Sequence, residues 1–241
     1  MKSAIGIIPA RFHSQRFPGK PLAQIQGKPM IERVYERAST ATLLERVIVA
    51  TDDKRIAEAA KKIGAETQMT SPLHNSGTER AAEVAQNLAT PIIINIQGDE
   101  PMVKGQMIDE LVRTLQDDSV PMVSLMARVK NLNLIQDTNI VKVVVDRKGF
   151  ALYFSRSPLP SQASDYFLQH IGVYGYQRNF LLRFTKLETS PLEKIEKLEQ
   201  LRALEYGYKI KMVETQSPTL SIDTPQDIIK LEEFLKKIGN D

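Results

Sequence analysis

The sequence predicts an α/β protein: a doubly wound, mostly parallel sheet that carries a partly antiparallel insertion. Short apolar runs rich in β-branched residues alternate with segments of helical periodicity over residues 4–126, the signature of βαβ units with right-handed crossovers. The strand-like runs lack a polar face, as strands covered on both sides by helices require. Beyond residue 130 strand patterns follow one another closely, which marks an antiparallel segment.

In chain order, residues 4–9 form the first strand, and Met30, Ile31, Val34, Tyr35 and Ala38 give the first helix its i, i+3, i+4, i+7 stripe. Strands at 47–51, Ile92–Ile96 and 122–126 alternate with helices at 56–63, 81–88 and 108–115. The antiparallel part holds strands at 140–146, 151–154 and 170–176, with a turn at Arg147, Lys148 and Gly149. A helix over 193–206, the strand Ile210–Thr215 and an amphipathic helix opening at Pro225, capped by Asp223 or Thr224, complete the pattern. No repeat or Gly/Ser/Pro linker divides it, so residues 1–241 are expected to be one domain containing an insertion at about 130–208.

With 241 residues, 42% of them hydrophobic and 25% charged, the chain is long enough to bury a large core without disulfides or structural zinc. The absence of cysteine excludes thiolate catalysis and iron–sulfur chemistry and fits a reducing compartment. A net charge of +3 argues for neither nucleic acid nor membrane as partner. No run is long enough for a signal-peptide core or a membrane span, so a cytoplasmic enzyme is expected.

Charges gather instead at strand ends, where open α/β sheets bind ligands. Arg11, Arg16 and Lys20, with Ser14, fall within ten residues after the first strand, and Gly19 permits close backbone approach; this loop suits a polyphosphate. It matches neither G-x-G-x-x-G nor G-x-x-x-x-G-K-[ST]. The alternative is a solvated basic loop. Asp99, in Gln97-Gly98-Asp99-Glu100, follows a buried strand and is a candidate Mg²⁺ ligand, since this ion takes one or two carboxylates plus phosphate oxygens. Asp223 is a second candidate, with helix capping as its competing role. Asp52 and Asp53 follow the strand that ends at Thr51 and either face a nucleobase, ribose or metal, or one of them caps a helix. Ser76, Gly77, Thr78, Glu79 and Arg80 either contact a base or form an S-x-x-E capping box. Arg156, His170 and Tyr174 suit a carboxylate and hydroxyls, although Tyr174 and Tyr176 also read as an exposed or dimer-facing aromatic pair. Glu199 borders an apolar helical stripe. Three His in the whole chain and no His/Glu cluster at metal spacing argue against a zinc enzyme, and no Ser-His-Asp triad is identifiable.

Taken together and in order, these segments closely resemble the cytidylyltransferases that activate the keto-sugar acid Kdo, the CMP-Kdo synthetases, from about residue 4 to 229. The shared pieces are Ile8-Pro9-Ala10-Arg11 with Ser14, Arg16 and Pro18-Gly19-Lys20-Pro21-Leu22, then Ala50-Thr51-Asp52, Ser76-Gly77-Thr78-Glu79-Arg80 and Gln97-Gly98-Asp99-Glu100-Pro101. More discriminating are Tyr153-Phe154-Ser155-Arg156-Ser157, His170-Ile171-Gly172-Val173-Tyr174, Leu198-Glu199-Gln200 and Asp223-Thr224-Pro225. The resemblance implies a Rossmann-like nucleotidyltransferase fold with a dimerisation part, and Mg²⁺-dependent transfer of CMP from CTP to the anomeric hydroxyl of Kdo for lipopolysaccharide biosynthesis. It assigns Arg11, Arg16 and Lys20 to the triphosphate and Asp99 and Asp223 to the metal. Ser76, Gly77 and Arg80 go to the cytidine, and Gln97, Arg156, His170, Tyr174, Glu199 and Gln200 to the sugar acid. With Ser14, Thr51 and Asp52 on the nucleotide side, and Lys20, Asp99 and Asp223 as the catalytic group, this is the expected site of a homodimer. A CMP-sialate synthetase or a non-catalytic nucleotide-binding module are the competing readings. Two departures stand out: the segment 159–169 is short and lacks a basic residue, and Gln226 follows Thr-Pro where the family carries Glu.

Overall fold

The computed structural model describes residues 1–13, 17–216 and 219–238. Its strands are β1 (Ala4–Ala10), β2 (Gln24–Ile25), β3 (Lys28–Pro29), β4 (Arg46–Thr51), β5 (Glu66–Met69), β6 (Ile92–Ile96), β7 (Met122–Val129), β8 (Lys142–Val145), β9 (Ala151–Ser155), β10 (Phe167–Gln177) and β11 (Ile210–Thr215). Its helices are α1 (Met30–Ala38), α2 (Lys54–Lys62), α3 (Gly77–Gln86), α4 (Gly105–Thr114), α5 (Arg178–Phe184), α6 (Pro191–Glu196), α7 (Gln200–Glu205) and α8 (Pro225–Ile238).

One large sheet runs in the order β11-β7-β10-β6-β1-β4-β5. β5, β4, β1 and β6 are parallel neighbours, while β10 runs antiparallel to both β6 and β7. Every residue of β1 and β6 is buried, because helices cover both faces of the sheet. Ala4, Ile8 and Ala10 pack with Met30, Val34, Ile108, Leu111 and Leu231 on one side. Ile5 and Ile7 pack with Ala81, Ala85, Leu181, Phe184 and Leu201 on the other. The fold is the expected doubly wound, mostly parallel α/β sheet with antiparallel additions. Segment 130–208 re-enters it through β10, and β8 and β9 extend from that strand.

β10 can lie between its neighbours because Gly175 has no side chain: a Cβ there would stand 2.7 Å from Leu115 Cδ1 and 2.8 Å from Val123 Cγ1. Tyr176, expected to be exposed or at a dimer face, is instead buried and stacked on Tyr174, Phe180 and Phe184. The length of β10 explains this, since it carries Tyr176 beneath α5 while Tyr174 remains at the second cleft.

The helix expected over 193–206 is two helices. Lys197 takes a left-handed backbone (φ 55°, ψ 45°) and ends α6 before α7 begins. The break points Leu198 into the core, and Arg202 reaches back across it to Glu193 at 2.7 and 2.5 Å. Periodicity alone cannot register such a bend, because the apolar stripe continues through it. The β2–β3 hairpin and β5 also escaped the sequence reading. The hairpin turns on Gln26 and Gly27, both at positive φ, without the Asn-Gly signal such turns usually give, and β5 is a short polar edge strand.

Candidate active site

Strand order reverses at β1, whose neighbours β4 and β6 lead the chain to opposite sides; beyond the carboxyl ends of these strands lies the site. β1 delivers Pro9, Ala10 and Arg11 there, and β6 delivers Gln97, Gly98, Asp99 and Glu100. Gly98 is tight against β1, since a Cβ would sit 3.0 Å from the Pro9 carbonyl oxygen. The Ile222 N–H donates to the Asp99 carbonyl at 2.9 Å, which brings the segment before α8 alongside.

At this junction the Lys20 ammonium donates to Asp99 Oδ2 at 2.7 Å and to the Ile222 carbonyl at 2.8 Å, and lies 3.7 Å from Asp223 Oδ1. Two carboxylates remote in sequence thus converge on one cation. From the first turn of α8 the Asp227 carboxylate reaches back to accept the N–H groups of Asp223 and Thr224 at 3.2 and 2.9 Å, which fixes the backbone that presents Asp223. Asp99 and Asp223 offer hard oxygen donors, the set that Mg²⁺ prefers when phosphate oxygens complete its shell.

Two clefts meet here. The first, of about 690 Å³, is lined by Pro9, Arg11, Lys20, Gly77, Arg80, Gln97, Asp99 and Asp223. Gly77 opens α3 against it, and a Cβ on that residue would lie 3.0 Å from Pro9 Cγ. The second, of about 720 Å³, is lined by Gln97, Asp99, Glu100, Asn139, Arg156, Gln169, His170, Tyr174, Gln200, Ser221 and Asp223. Gln97, Asp99 and Asp223 belong to both. In the wall of the second cleft, Gln200 Nε2 and Glu100 Oε2 are buried without a hydrogen-bond partner in the protein, so each can serve a bound polar molecule.

A sequence model of the cytidylyltransferases matches residues 5–210. A 3-deoxy-manno-octulosonate cytidylyltransferase of Syntrophotalea carbinolica is 49% identical, covering 97% of this chain and 99% of its own. The chain belongs to the 3-deoxy-manno-octulosonate cytidylyltransferase family. The same enzyme of Geotalea uraniireducens is 50% identical over 96% of this chain and 98% of its own. A solved structure of CMP:2-keto-3-deoxy-manno-octonic acid synthetase complexed with CTP superposes with a TM-score of 0.91 at 38% identity, covering 98% of this chain and all of that one. A 4-diphosphocytidyl-2C-methyl-D-erythritol synthase from Anaerococcus prevotii, at 14% identity and TM-score 0.65, shares the fold.

Within this cytidylyltransferase, most expected site residues gather at the two clefts and some do not. Ser14 and Arg16 lie outside the described residues. Ser76 caps α3 by accepting the Glu79 N–H at 3.1 Å, while Glu79 turns to the Asn75 N–H at 2.7 Å; the capping reading of this motif is realised beside the cleft, not instead of it. Thr51 is fully buried and Asp52 accepts from Arg80 at 3.1 Å, so both stand behind the first cleft. Asp53 caps α2. Arg80 is itself buried, bonded to Thr70 and Asp52, and shows the cleft only an edge. Glu199 is turned away from the second cleft: its carboxylate accepts from Thr78 and lies 3.6 Å from Arg202. The bend at Lys197 sets that direction and sends Gln200 to the cleft. Glu100, Asn139, Gln169 and Ser221 line the second cleft and were not singled out in the sequence. Only Glu100 carried a usable signal, its position next to Asp99 at a strand end.

Burial governs the protonation of this wall. It pushes the Glu100 carboxyl up to about 8, assisted by the charge of Asp99, and raises the Tyr174 phenol. Burial also drives His170 down to about 3, so its ring is neutral and pairs with Ser124 Oγ at 3.0 Å. A depressed histidine pKa leaves stability intact above 6.5, and the stability is lost as pH falls below 6.5, where the unfolded chain takes up the proton first. At pH 5 the expected loss from this group is about 2 kcal/mol. Urea unfolding at pH 7 and pH 5 checks it: His170→Gln should flatten the change, and an unchanged slope in the variant would exclude His170 as its source.

Proposed function

We propose that the protein transfers CMP from CTP to the anomeric hydroxyl of Kdo, releasing pyrophosphate, with CTP in the first cleft and the sugar acid in the second. The observation that carries this reading is the sharing of Asp99 and Asp223 by both clefts, which places the pair between a nucleotide and an acceptor. The names of the relatives describe this same reaction.

Arg11 and Lys20 supply positive charge to the triphosphate, and Gly77 and Gly98 leave room for close approach of the nucleotide to β1 and α3. In the second cleft Arg156 pairs with the sugar carboxylate, while Gln200, His170 and Tyr174 meet hydroxyls. The anomeric hydroxyl gives up its proton to solvent, its oxygen bonds to the α-phosphorus, the α–β bridging P–O bond breaks, and pyrophosphate leaves with the electron pair. Positioning and charge neutralisation are the main requirements of phosphoryl-type transfer, so a chain without cysteine can do it. Asp99 and Asp223 would hold Mg²⁺, which supplies neutralisation of the phosphates and a lower pKa for the attacking hydroxyl. Lys20 is paired with these carboxylates and adjoins the triphosphate cleft, so its ammonium can also donate a hydrogen bond to the departing pyrophosphate.

Homodimerisation through segment 130–208 is part of the proposal, supported by exposed Leu152 and Ile195, 62% and 74% accessible. No helix among the described residues is long and apolar enough to cross a membrane. A cytoplasmic setting, where CTP is available, completes the reading.

Incubation with CTP, Mg²⁺ and either Kdo or a sialic acid, followed by pyrophosphate release, tests it. Release with Kdo is expected. Release with the sialic acid alone would assign the second cleft to a different acid, and release with neither would leave a nucleotide-binding module.

A further inference from the structure

Lys142 sits in β8 with no solvent exposure, although lysine is among the residues least often buried, and then normally beside an acid. Among the described residues no carboxylate lies within ion-pairing distance of it; the charges of Asp137, Arg156 and Glu196 act on it from farther off. Its three protons go to three backbone carbonyls: Asp137 at 2.8 Å, Ile140 at 2.8 Å and Arg156 at 2.6 Å. Two of these belong to the loop between β7 and β8, and the third belongs to the arginine of the second cleft.

The same parts are joined a second time. The Arg156 guanidinium donates to the Thr138 carbonyl at 2.9 Å, and the Arg156 N–H donates to Glu196 at 3.2 Å. Carbonyls 137, 138 and 140 are therefore all occupied by two cations, and Asn139 of that loop lines the cleft with Arg156. A hydrophobic side chain would fill the volume of Lys142 but leave the Ile140 and Arg156 carbonyls unpaired and the Asp137 carbonyl with only the Ile140 N–H, at 3.2 Å. Ordinary packing does not require a buried ammonium here, whereas fixing a cationic side chain at the mouth of an acid-binding cleft does.

We propose that Lys142 is a positioning residue for sugar-acid recognition: its ammonium pins loop 137–140 to the Arg156 backbone and so holds the Arg156 guanidinium toward the acid. The proposal rests on the reading of the second cleft as the acid site, and the test separates the two. Apparent KM values for Kdo and for CTP are measured in Lys142→Met, Arg156→Ala and the double variant.

Lys142→Met should raise KM for Kdo about tenfold and leave KM for CTP within twofold, and it should add nothing in the Arg156→Ala background. Equal shifts for both substrates, or a full additional effect in the double variant, would overturn the pinning role. If Arg156→Ala itself leaves KM for Kdo unchanged, the acid site is misplaced and the pinning role falls with it. If Arg156→Ala raises it while Lys142→Met does not, pinning alone fails. Should Lys142→Met not fold, the ¹⁵N-lysine ammonium spectrum of the intact protein decides. A slowly exchanging ammonium that shifts on saturation with Kdo but not with CTP is expected, and the absence of that signal or of its shift overturns the proposal.

Discussion

Asp99→Asn is expected to lower kcat for CMP transfer by about 10³-fold or more, with thermal stability close to that of the parent. The substitution keeps the shape of the side chain and removes one of two negative charges that converge on Lys20, at 2.7 Å from its ammonium. Removing a single preorganised donor from a transition-state site typically costs about 10²–10³ in rate, and losing a carboxylate that would hold Mg²⁺ is expected to cost at least as much. Steady-state pyrophosphate release across a Mg²⁺ titration measures the effect. A half-saturating Mg²⁺ concentration shifted upward together with the fall in kcat is the expected pattern. Turnover equal to the parent's at every Mg²⁺ concentration would remove Asp99, and with it the two-carboxylate arrangement, from the catalytic step.

Arg156→Ala should raise KM for Kdo by roughly 30- to 100-fold while KM for CTP changes little, because a charge-assisted hydrogen bond to a carboxylate is worth about 2–3 kcal/mol. Arg156 lines only the second of the two clefts, so the selectivity of the effect follows from geometry as well as charge. Substrate-saturation curves taken with each substrate in turn distinguish this from a general loss of activity. Equal increases in both KM values would contradict a dedicated acid site.

Pocket residues differed in how readily they could be read from sequence. Arg11 and Asp99 were legible because a charged residue just after a fully buried strand has to emerge at the sheet's carboxyl edge, and Lys20 because it ends the same basic loop as Arg11. Asp223 was ambiguous, since its position before Thr-Pro suits a helix cap equally well; only the long-range approach of Lys20, 3.7 Å from its carboxylate, brings it to the site. Glu199 and Gln200 are adjacent in sequence, and a local bend at Lys197 sends one to Thr78 and the other to the cleft. Thr51 and Asp52 sit at a strand end as ligand-binding residues often do, yet face inward to support Arg80 and the turn before α2. Lys142 gave no signal at all, because a single lysine in a strand of valines reads as a solvent-facing position until β9 and loop 137–140 close over it.

The sequence by itself determined the alternation of strands and helices, the burial of the central strands on both faces and the loops that carry phosphate-binding charge. Those features depend on periodicity and on residue chemistry over a few positions, which the chain states locally. Tertiary structure decided which carboxylates meet, where β10 enters the sheet, which of two neighbouring side chains reaches the cleft, and what holds Arg156. The carboxylate meeting and the entry of β10 depend on contacts between residues far apart in the chain, and the hold on Arg156 and the turn at Lys197 depend on how neighbouring elements pack rather than on periodicity.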